Sequence, residues 1–509
     1  MKKAAYRVAF CFYTLAELVM YKTITKTGLA IAISAAISFP THAVSDSQKQ
    51  QLNNAVIKAS QSQEEKLKEF HDYVNAYLDE YEQWRDEYTN KLDERRTDLI
   101  KTWGEGEVSS QTKQVDYSQN DQVKTAVDYE SNTATVSVLV DEDSSPKEIE
   151  ALVRQIPVTV EGQTVELAKL EPEDHTVLYS LDKEQKEKNF VIEQTQSQMN
   201  ELDVQAERLI QSNTGIPDSF IYQRAHNKKL ALLTKAQERI AAQTELYNEM
   251  RAKYGIAVDQ SEKFATEHTE EVAKLESPTA QEAPKVAEKV VSNNTIFETQ
   301  IVKQKPIPEI VSVPTQSKKV VSYKVKLPEN SLKSRASKYI SLAEKESKNW
   351  EIDAALIMAI MHSESAFRPD AKSHVPAFGL MQVVPTSAGH DVNKQVRNID
   401  APMKAADLYQ PLINVETGTA YLDILNSKYL RKIESDQSRL YCMIAAYNTG
   451  AGNVARAFNK DRSTSIGKAS KVINKMTPEE VYNQLVAKLP YDETKNYLKK
   501  VNSRIALYK

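Results

Sequence analysis

Short apolar segments at helical spacing follow one another after Ser331. In each of them apolar residues recur every three or four positions, which places them on one face of an α-helix. Their connections are brief, and a stretch of roughly 180 residues is long enough to bury its own core. Residues 331–509 are therefore predicted to form an α-helical domain. The segments are RASKYISLAEKES, DAALIMAIMHSE, VETGTAYLDILNSKYL, SRLYCMIAAYN, TPEEVYNQLVAKL and DETKNYLKKVNSRI.

Glycine is scarce in this chain, with 12 in 509 residues, while charged residues make up 27%. This composition favours helices over β-sandwiches and over Gly-rich nucleotide-binding loops. The net charge is −4, but residues 331–509 carry +8 and the rest −12. The basic part suits an anionic substrate or surface, and ordinary solvated surface charge is the alternative. A nucleic-acid partner is not expected, because the sequence has neither aromatic interleaving nor a nucleic-acid-binding signature.

The N-terminus has the pattern of an export signal. Residues 20–43 combine a Lys-bearing start, a short apolar middle and a small-residue ending at Ala43, so that residues 1–43 are predicted to be a signal region with Met20 as an alternative start. Cleavage near Ala43 would send the protein to the periplasm, and an uncleaved anchor is the alternative. No cysteine directly follows the apolar middle of the signal, so an outer-membrane lipid anchor is not expected. Cys442, in an apolar run, is predicted to be a core residue.

The rest of the chain divides into three further parts. Residues 47–180 combine a long helical pattern with two hairpin patterns, and they are predicted to form an α+β accessory domain. Residues 182–272 have a heptad-like seam typical of a helical hairpin or coiled coil, through which self-association or a partner protein is a further hypothesis. Residues 273–330 contain scattered prolines and are predicted to be a flexible linker with short extended pieces. The predicted fold class is thus mainly α.

Glu364 occupies an unexpected position in the segment DAALIMAIMHSE. The helical period places it on the same face as Ile357, Ile360 and Met361, where an aliphatic residue would be expected. Burial disfavours an ionised carboxylate, so the pKa of Glu364 should rise and the carboxyl should act as a proton donor near neutral pH. The alternative is a structural glutamate paired with Arg368, one helical turn further on.

Four short motifs occur in order around and after Glu364. They are Glu364-Ser365, Gly379-Leu380-Met381-Gln382, Ala446-Tyr447-Asn448 and Tyr497. In this order they resemble the lytic murein transglycosylases, whose catalytic domain has a lysozyme-like fold, and among these most closely the membrane-bound lytic murein transglycosylase C group. The segment INVETGTAYL is similar to a further helix of that family. Thr449 departs from the family pattern, which has Gly or Ala after Ala-Tyr-Asn, and Phe378 departs from the smaller residue or Leu usual before Gly379.

The resemblance implies a peptidoglycan-cleaving enzyme that uses Glu364 as its single acid and base. It would cleave between N-acetylmuramic acid and N-acetylglucosamine and form a 1,6-anhydromuramyl product. The resemblance also implies a turn and core-packing role for Gly379, Leu380 and Met381. Substrate-binding roles are implied for Ser365, Ser373, Gln382, Tyr447, Asn448 and Tyr497.

Two other functions remain open on the sequence. One is a lysozyme-type hydrolase on the same fold, and the other is a catalytically silent protein that binds peptidoglycan as a scaffold. A metal site is not expected, because His362, His374 and His390 are irregularly spaced and no His-Glu-x-x-His occurs. No cofactor is expected either.

Overall fold

The structure is a computed structural model in which the chain divides into two compact units, residues 1–84 and 85–509. The predicted signal region, 1–43, lies outside the described residues, as does most of the predicted linker. The described residues are 82–156, 158–160, 163–165, 172–176, 179–211, 216–253 and 318–509, with isolated positions between 65 and 79. Among them no helix is both long and apolar enough to cross a membrane.

A five-stranded antiparallel sheet follows helix α1, which covers residues 82–103. The sheet order is β1-β2-β3-β7-β6. The inner strands β3 and β7 are buried on both faces. One face forms a core with helix α2, Pro146–Val153, and on the other face Leu139 and Val320 pack with Leu99 and Trp103. The strands are β1 (Lys113–Ser118), β2 (Val123–Asp128), β3 (Thr133–Asp141), β6 (Glu173–Thr176) and β7 (Lys318–Lys326). The hairpin predicted around residues 125–140 is confirmed as the β2–β3 pair.

Strand β7 lies in the part predicted to be linker. Its nine residues pair with all nine of β3, and Val321 and Tyr323 are buried in the sheet core. Residues 318–326 are therefore a structural strand, because their partner β3, far back in the sequence, supplies the hydrogen bonds and the apolar face. Asp141 is paired with Lys318, so the segment between these two residues starts and ends at neighbouring positions of the sheet, and it also supplies the edge strand β6.

Within that segment lie a small hairpin and two long helices. Strands β4 (Val158–Val160) and β5 (Gln163–Val165) pair around residues 161–162, as their pattern predicts. Helices α3 (Leu181–Gln211) and α4 (Asp218–Lys253) then pack antiparallel. Ion pairs join Glu184 to Arg251 and Asp203 to Lys229. The start of α3 therefore lies beside the end of α4, as in an antiparallel pair. The helical part of the predicted hairpin is thus present, whereas residues 254–272 lie outside the described residues.

The apolar seam of α4 is covered inside the chain. Leu233, Ala236 and Ile240 pack against α3, while Tyr247 and Met250 pack with Ile100 of α1. Self-association through residues 182–272 stays a prediction, and these side chains already have apolar neighbours.

The final part of the chain is a helical domain around the buried helix α7, Ala354–Ser365. Every residue from Ala355 to Ser365 is buried, and α7 packs against α6 and α14. Cys442 lies in the same core. The architecture is mainly α, as predicted. The other helices are α5 (Ser331–Ser337), α6 (Ile340–Trp350), α8 (Ala388–Gln395), α9 (Ala405–Leu408), α10 (Pro411–Asp423), which continues as a π-helix (Ile424–Tyr429), α11 (Asp436–Phe458), α12 (Ile466–Ile473), α13 (Pro478–Lys488) and α14 (Asp492–Ile505).

Candidate active site

Glu364 is the penultimate residue of helix α7. The helix begins at a capping aspartate, Asp353, whose side chain accepts a hydrogen bond from the Ala355 amide at 2.8 Å. Ile357, Ile360 and Met361 are fully buried on the face predicted to hold Glu364. The helix thus carries the carboxyl into the domain core, where Glu364 is 9% exposed.

Burial raises the pKa of the Glu364 carboxyl to about 8. Glu493 adds to the rise by repulsion, while Lys500 and the Tyr497 hydroxyl favour the ionised form and oppose it. Among the described residues Glu364 has no salt bridge, and the guanidinium of Arg368 instead pairs with Asp370 at 3.1 Å. The structural alternative, a Glu364–Arg368 pair, is therefore absent, and the carboxyl is protonated at neutral pH.

Two tyrosines flank the carboxyl. Tyr447 and Tyr497 both lie close enough to Glu364 that its negative charge, together with burial, raises the pKa of each phenol well above its usual value. The buried Tyr497 hydroxyl makes no hydrogen bond of regular geometry among the described residues. It nevertheless lies near enough to Glu364 to influence the pKa of the carboxyl. Tyr447 donates to the Met381 carbonyl at 2.9 Å and is half-buried. The structure therefore brings together Glu364, Tyr447 and Tyr497.

The chain reverses sharply after α7. Ala366 and Phe367 both have a positive φ, of 49° and 65°, a region that residues other than glycine rarely adopt. The reversal leads into the turn of Gly379-Leu380-Met381-Gln382 beside the end of the helix. At Gly379 φ is 76°, and a Cβ there would lie 2.3 Å from the Leu408 carbonyl oxygen, so no other residue fits.

Ser365 and Gln382 hold this turn in place. The Ser365 hydroxyl is fully buried and donates to the Leu380 carbonyl at 2.8 Å. The Gln382 amide nitrogen donates to the carbonyls of Ala371 and Gly379, at 3.0 and 2.9 Å. The Ser365 hydroxyl and the Gln382 amide nitrogen therefore both donate to backbone carbonyls. The Gln382 amide oxygen is buried without a hydrogen-bond partner among the described residues. Their substrate-binding roles stay predictions.

Asn414 is a positioning residue that the sequence analysis did not single out. Its side chain is fully buried, donates to the Phe378 carbonyl at 2.7 Å and accepts from the Met381 amide at 2.8 Å. Gly418, one turn further along α10, leaves room for Met381, since a Cβ there would lie 2.6 Å from the Met381 sulfur. The pattern INVETGTAYL contained the signal, because both residues belong to it.

Ser373 and Asn448 lie at the edges of the same region. The Ser373 hydroxyl donates to the Val375 carbonyl and accepts from the Ala377 amide, which closes a tight turn. The Asn448 side-chain oxygen accepts a hydrogen bond from Thr494 at 2.6 Å, and its backbone carbonyl accepts one from Asn200 of α3 at 3.0 Å. A residue of the distant helix α3 therefore reaches the Ala-Tyr-Asn motif.

The arrangement suits acid–base chemistry at one carboxyl. The protonated Glu364 carboxyl lies between the phenols of Tyr447 and Tyr497. The backbone turns beside it are anchored by Ser365, Gln382 and Asn414. Within the described residues no group of three His, Cys, Asp or Glu side chains could hold a metal ion. The site can thus donate a proton and take one back.

Residues 341–469 match the family described as the transglycosylase SLT domain. The match contains Glu364, the turn at Gly379 and the Ala-Tyr-Asn motif, and it confirms the resemblance for this segment.

Several particular proteins are similar to part of this chain. Membrane-bound lytic murein transglycosylase C of Salmonella typhimurium is 43% identical over 190 residues, 37% of this chain and 51% of that protein. The protein of the same description from Pectobacterium atrosepticum is 45% identical over 182 residues, 36% of this chain and 50% of that protein. The chain thus spans about half the length of the curated relatives it matches.

Two solved structures resemble part of the chain at 27% identity. An inactive mutant of the lytic transglycosylase Slt of Pseudomonas aeruginosa matches 33% of this chain and 23% of its own, with a TM-score of 0.25. The 70 kDa soluble lytic transglycosylase of Escherichia coli matches 33% of this chain and 24% of its own, with a TM-score of 0.26.

Proposed function

We propose that this protein is a lytic transglycosylase that cleaves the β-1,4 bond between N-acetylmuramic acid and N-acetylglucosamine in peptidoglycan. The observation that carries the proposal is the buried Glu364 carboxyl, with its pKa raised to about 8, between Tyr447 and Tyr497. A leaving-group oxygen needs a proton donor, and a carboxyl that is neutral at pH 7 is one. The match of residues 341–469 to the transglycosylase SLT domain supports the same substrate class.

In the proposed reaction Glu364 acts twice. It first donates its proton to the glycosidic oxygen as the bond from that oxygen to muramyl C1 breaks, and it becomes a carboxylate. The carboxylate then takes the proton of the muramyl C6 hydroxyl while that oxygen bonds to C1. The products are a free N-acetylglucosamine 4-hydroxyl and a 1,6-anhydromuramyl end. No water is consumed, and the substrate's acetamido group can stabilise positive charge at C1, so a second carboxylate is not required.

The remaining side chains take supporting roles in this proposal. Tyr447 and Tyr497 face the carboxyl and would orient it toward the glycosidic oxygen. Asn448 and Ser373 lie at the edges of the site and would meet the sugars. Ser365, which is fully buried, contributes by positioning the turn rather than by touching a sugar.

Replacing Glu364 with Gln tests the proposal, because the amide keeps the shape of the side chain but has no acidic proton to transfer. We expect Glu364→Gln to lower the rate of muropeptide release from purified sacculi by at least about a hundredfold. Mass spectrometry of the wild-type products should show 1,6-anhydro ends.

Three results would contradict parts of this assignment. Full activity of Glu364→Gln would remove the residue from the chemistry. Reducing ends in place of anhydro ends would identify a hydrolase of the lysozyme type. Binding to sacculi without release of muropeptides from the wild type would identify a scaffold.

We also propose that the protein works in the periplasm, where its substrate lies. The export-signal pattern of residues 20–43 and the membrane-bound relatives support this location. Fractionation of the native host should place the mature chain, cleaved near Ala43, in the periplasmic fraction.

A further inference from the structure

Helix α3 lies lengthwise between two parts of the helical domain. The first wall comprises residues 374–391, and the second wall comprises residues 448–456 together with 491–493. Tyr447 and Met381 join the two walls at their base through the 2.9 Å hydrogen bond of the Tyr447 hydroxyl. The space between the walls is called the furrow, and Glu364 lies at its base beside Tyr447.

One line of α3 side chains faces the first wall. Gln194, Glu201 and Arg208 are seven residues apart, so they lie on one line along the helix. Gln194 donates to the His374 carbonyl at 3.0 Å, and Arg208 pairs with Asp391 at 2.6 Å. The Glu201 carboxyl lies 3.4 Å from the hydroxyls of both Thr386 and Ser387. Contact with the first wall therefore extends over four turns of the helix.

A second line faces the opposite wall. Asn200 donates to the Asn448 carbonyl at 3.0 Å and accepts from the Thr449 hydroxyl at 2.7 Å. Glu207, seven residues on, accepts from the Gly452 amide. Because Asn448 is one of the residues expected to meet the sugars, α3 and a glycan would compete for this wall.

Between these two lines, Ser197 and Val204 face the middle of the furrow. Ser197 donates at 2.8 Å to Glu493, whose charge acts on Glu364. Val204 lies against the kink of α11 at Gly450, where φ is 80° and a Cβ would come within 3.1 Å of the Val204 side chain. The helix is therefore in close contact with the catalytic domain in the middle as well as at both walls.

An α-helix with its side chains is about 10–12 Å across, and residues 194–208 span about 21 Å at 1.5 Å per residue. Along this length Asn200, Glu201, Val204 and Glu207 are all buried. Their burial means that α3 covers both walls along this length. The part of α3 around Ser197 lies near the acid, because Ser197 donates to Glu493, whose charge acts on Glu364.

We propose that α3 is an autoinhibitory helix that occupies the glycan-binding furrow, and that the substrate enters only when α3 withdraws. This inference rests on the proposed function, since it assigns the regulation of the same site. It also accounts for Thr449, where the family pattern has Gly or Ala, because the threonine hydroxyl is the donor that holds Asn200.

The distribution of contacts allows α3 to withdraw together with α4 and α1, since Glu187 of α3 is joined to Arg96 of α1 by a buried ion pair. Its apolar residues Val191, Ile192, Met199 and Leu202 pack with α4 on the side away from the furrow. Its contacts with the two walls are mostly polar, and water can replace such contacts on separation more readily than apolar ones. The helical pair can therefore separate from the walls without losing its own core.

A double substitution in α3 tests the inference in the full chain. Asn200→Ala with Arg208→Ala removes one polar anchor from each wall and should shift the population toward the open furrow. We expect muropeptide release from sacculi to rise about tenfold or more. The matched control is Lys186→Ala on the same helix, which removes a cation whose ion pair with Asp182 is solvent-exposed, and it should leave the rate unchanged.

Binding provides a readout that does not require turnover. In the Glu364→Gln background, a soluble tetrasaccharide of alternating N-acetylglucosamine and N-acetylmuramic acid should bind about tenfold more tightly when the two α3 substitutions are added. If the double variant fails to fold, Thr449→Gly removes the Asn200 anchor from the other side and should change rate and affinity in the same direction.

Unchanged rate and affinity in these variants would overturn the autoinhibition, and so would a change in product length at an unchanged rate. The two proposals fail separately. If the wild type and the α3 variants all release nothing, the proposed function fails, and the tetrasaccharide affinities still decide whether α3 blocks the furrow.

Discussion

The surroundings of the Glu364 carboxyl act on its pKa in opposite directions. Burial among the aliphatic residues of α7 raises the pKa, and repulsion from Glu493 adds to the rise. Tyr497 and Lys500 oppose it but do not reverse it. The result is an acid that keeps its proton at neutral pH and can still become a carboxylate beside a phenol.

The first prediction at the residue scale concerns pH. The pKa of Glu364 is about 8 in the folded protein and about 4.5 in the unfolded chain, so the folded state binds the proton more tightly. The stabilisation from the neutral carboxyl is fully present below about pH 4.5 and is lost as pH rises to about 8. The Glu364→Gln variant has no ionisable group at this position, so its stability does not fall for this reason as the pH rises. The free energy of unfolding of the wild type, relative to Glu364→Gln, should therefore fall between pH 5 and pH 8, as urea titrations would measure.

A further prediction concerns the alkaline limit of the proposed reaction. That reaction requires the protonated Glu364, so the rate of the wild type on sacculi should decline above about pH 8. Equal pH dependence of unfolding for wild type and Glu364→Gln would show that the carboxyl is solvated rather than buried.

A second prediction at this scale concerns two glycines. Gly379→Ala should destabilise the fold by more than about 1 kcal/mol, since a Cβ there meets the Leu408 carbonyl at 2.3 Å with φ at 76°. Gly467→Ala is the matched control, because in helix α12 the nearest atom to its Cβ would be 3.6 Å away. It should be neutral or stabilising by up to about 1 kcal/mol. Similar free energies of unfolding for the two variants would refute the tight turn.

At the scale of elements, β7 shows how a strand depends on its neighbours. It reads KKVVSYKVK, with two adjacent valines among lysines, and the segment stands between prolines in sequence. On one strand alone this pattern is compatible with an extended piece of a tether. Pairing with β3 and β6 on its two sides makes it an interior strand of the sheet.

Val321 provides the test of this strand. It is fully buried, so Val321→Ala should lower the free energy of unfolding by about 2 kcal/mol through lost burial and a small cavity. Lys326→Ala, at an exposed position of the same strand, should change it by less than about 0.5 kcal/mol. A negligible effect of Val321→Ala would mean that the segment behaves as a linker.

At the scale of the whole molecule, α3 connects distant parts of the chain. Its residues Asn200 and Arg208 meet partners that follow them by 178 to 253 positions in sequence. The apolar pattern of residues 182–254 indicated helices that pack on each other, and it contained no signal for the second, polar face that meets the catalytic domain. In the sequence, Thr449 was likewise visible only as a departure from the family pattern, because its partner Asn200 lies far away along the chain.

The sequence by itself determined the helical domain after Ser331, the hairpins and the burial of Glu364. It also showed that residues around and after Glu364 belong to one ordered set of motifs. These are local properties, because periodicity and short motifs are carried by residues close together in the chain. Only the tertiary structure decided that Asn414 supports the turn at Gly379, that residues 318–326 complete a sheet, and that α3 contacts two distant parts of the helical domain. Each of these depends on pairing between segments far apart in sequence. The residue pattern of one segment does not specify which distant segment it packs against.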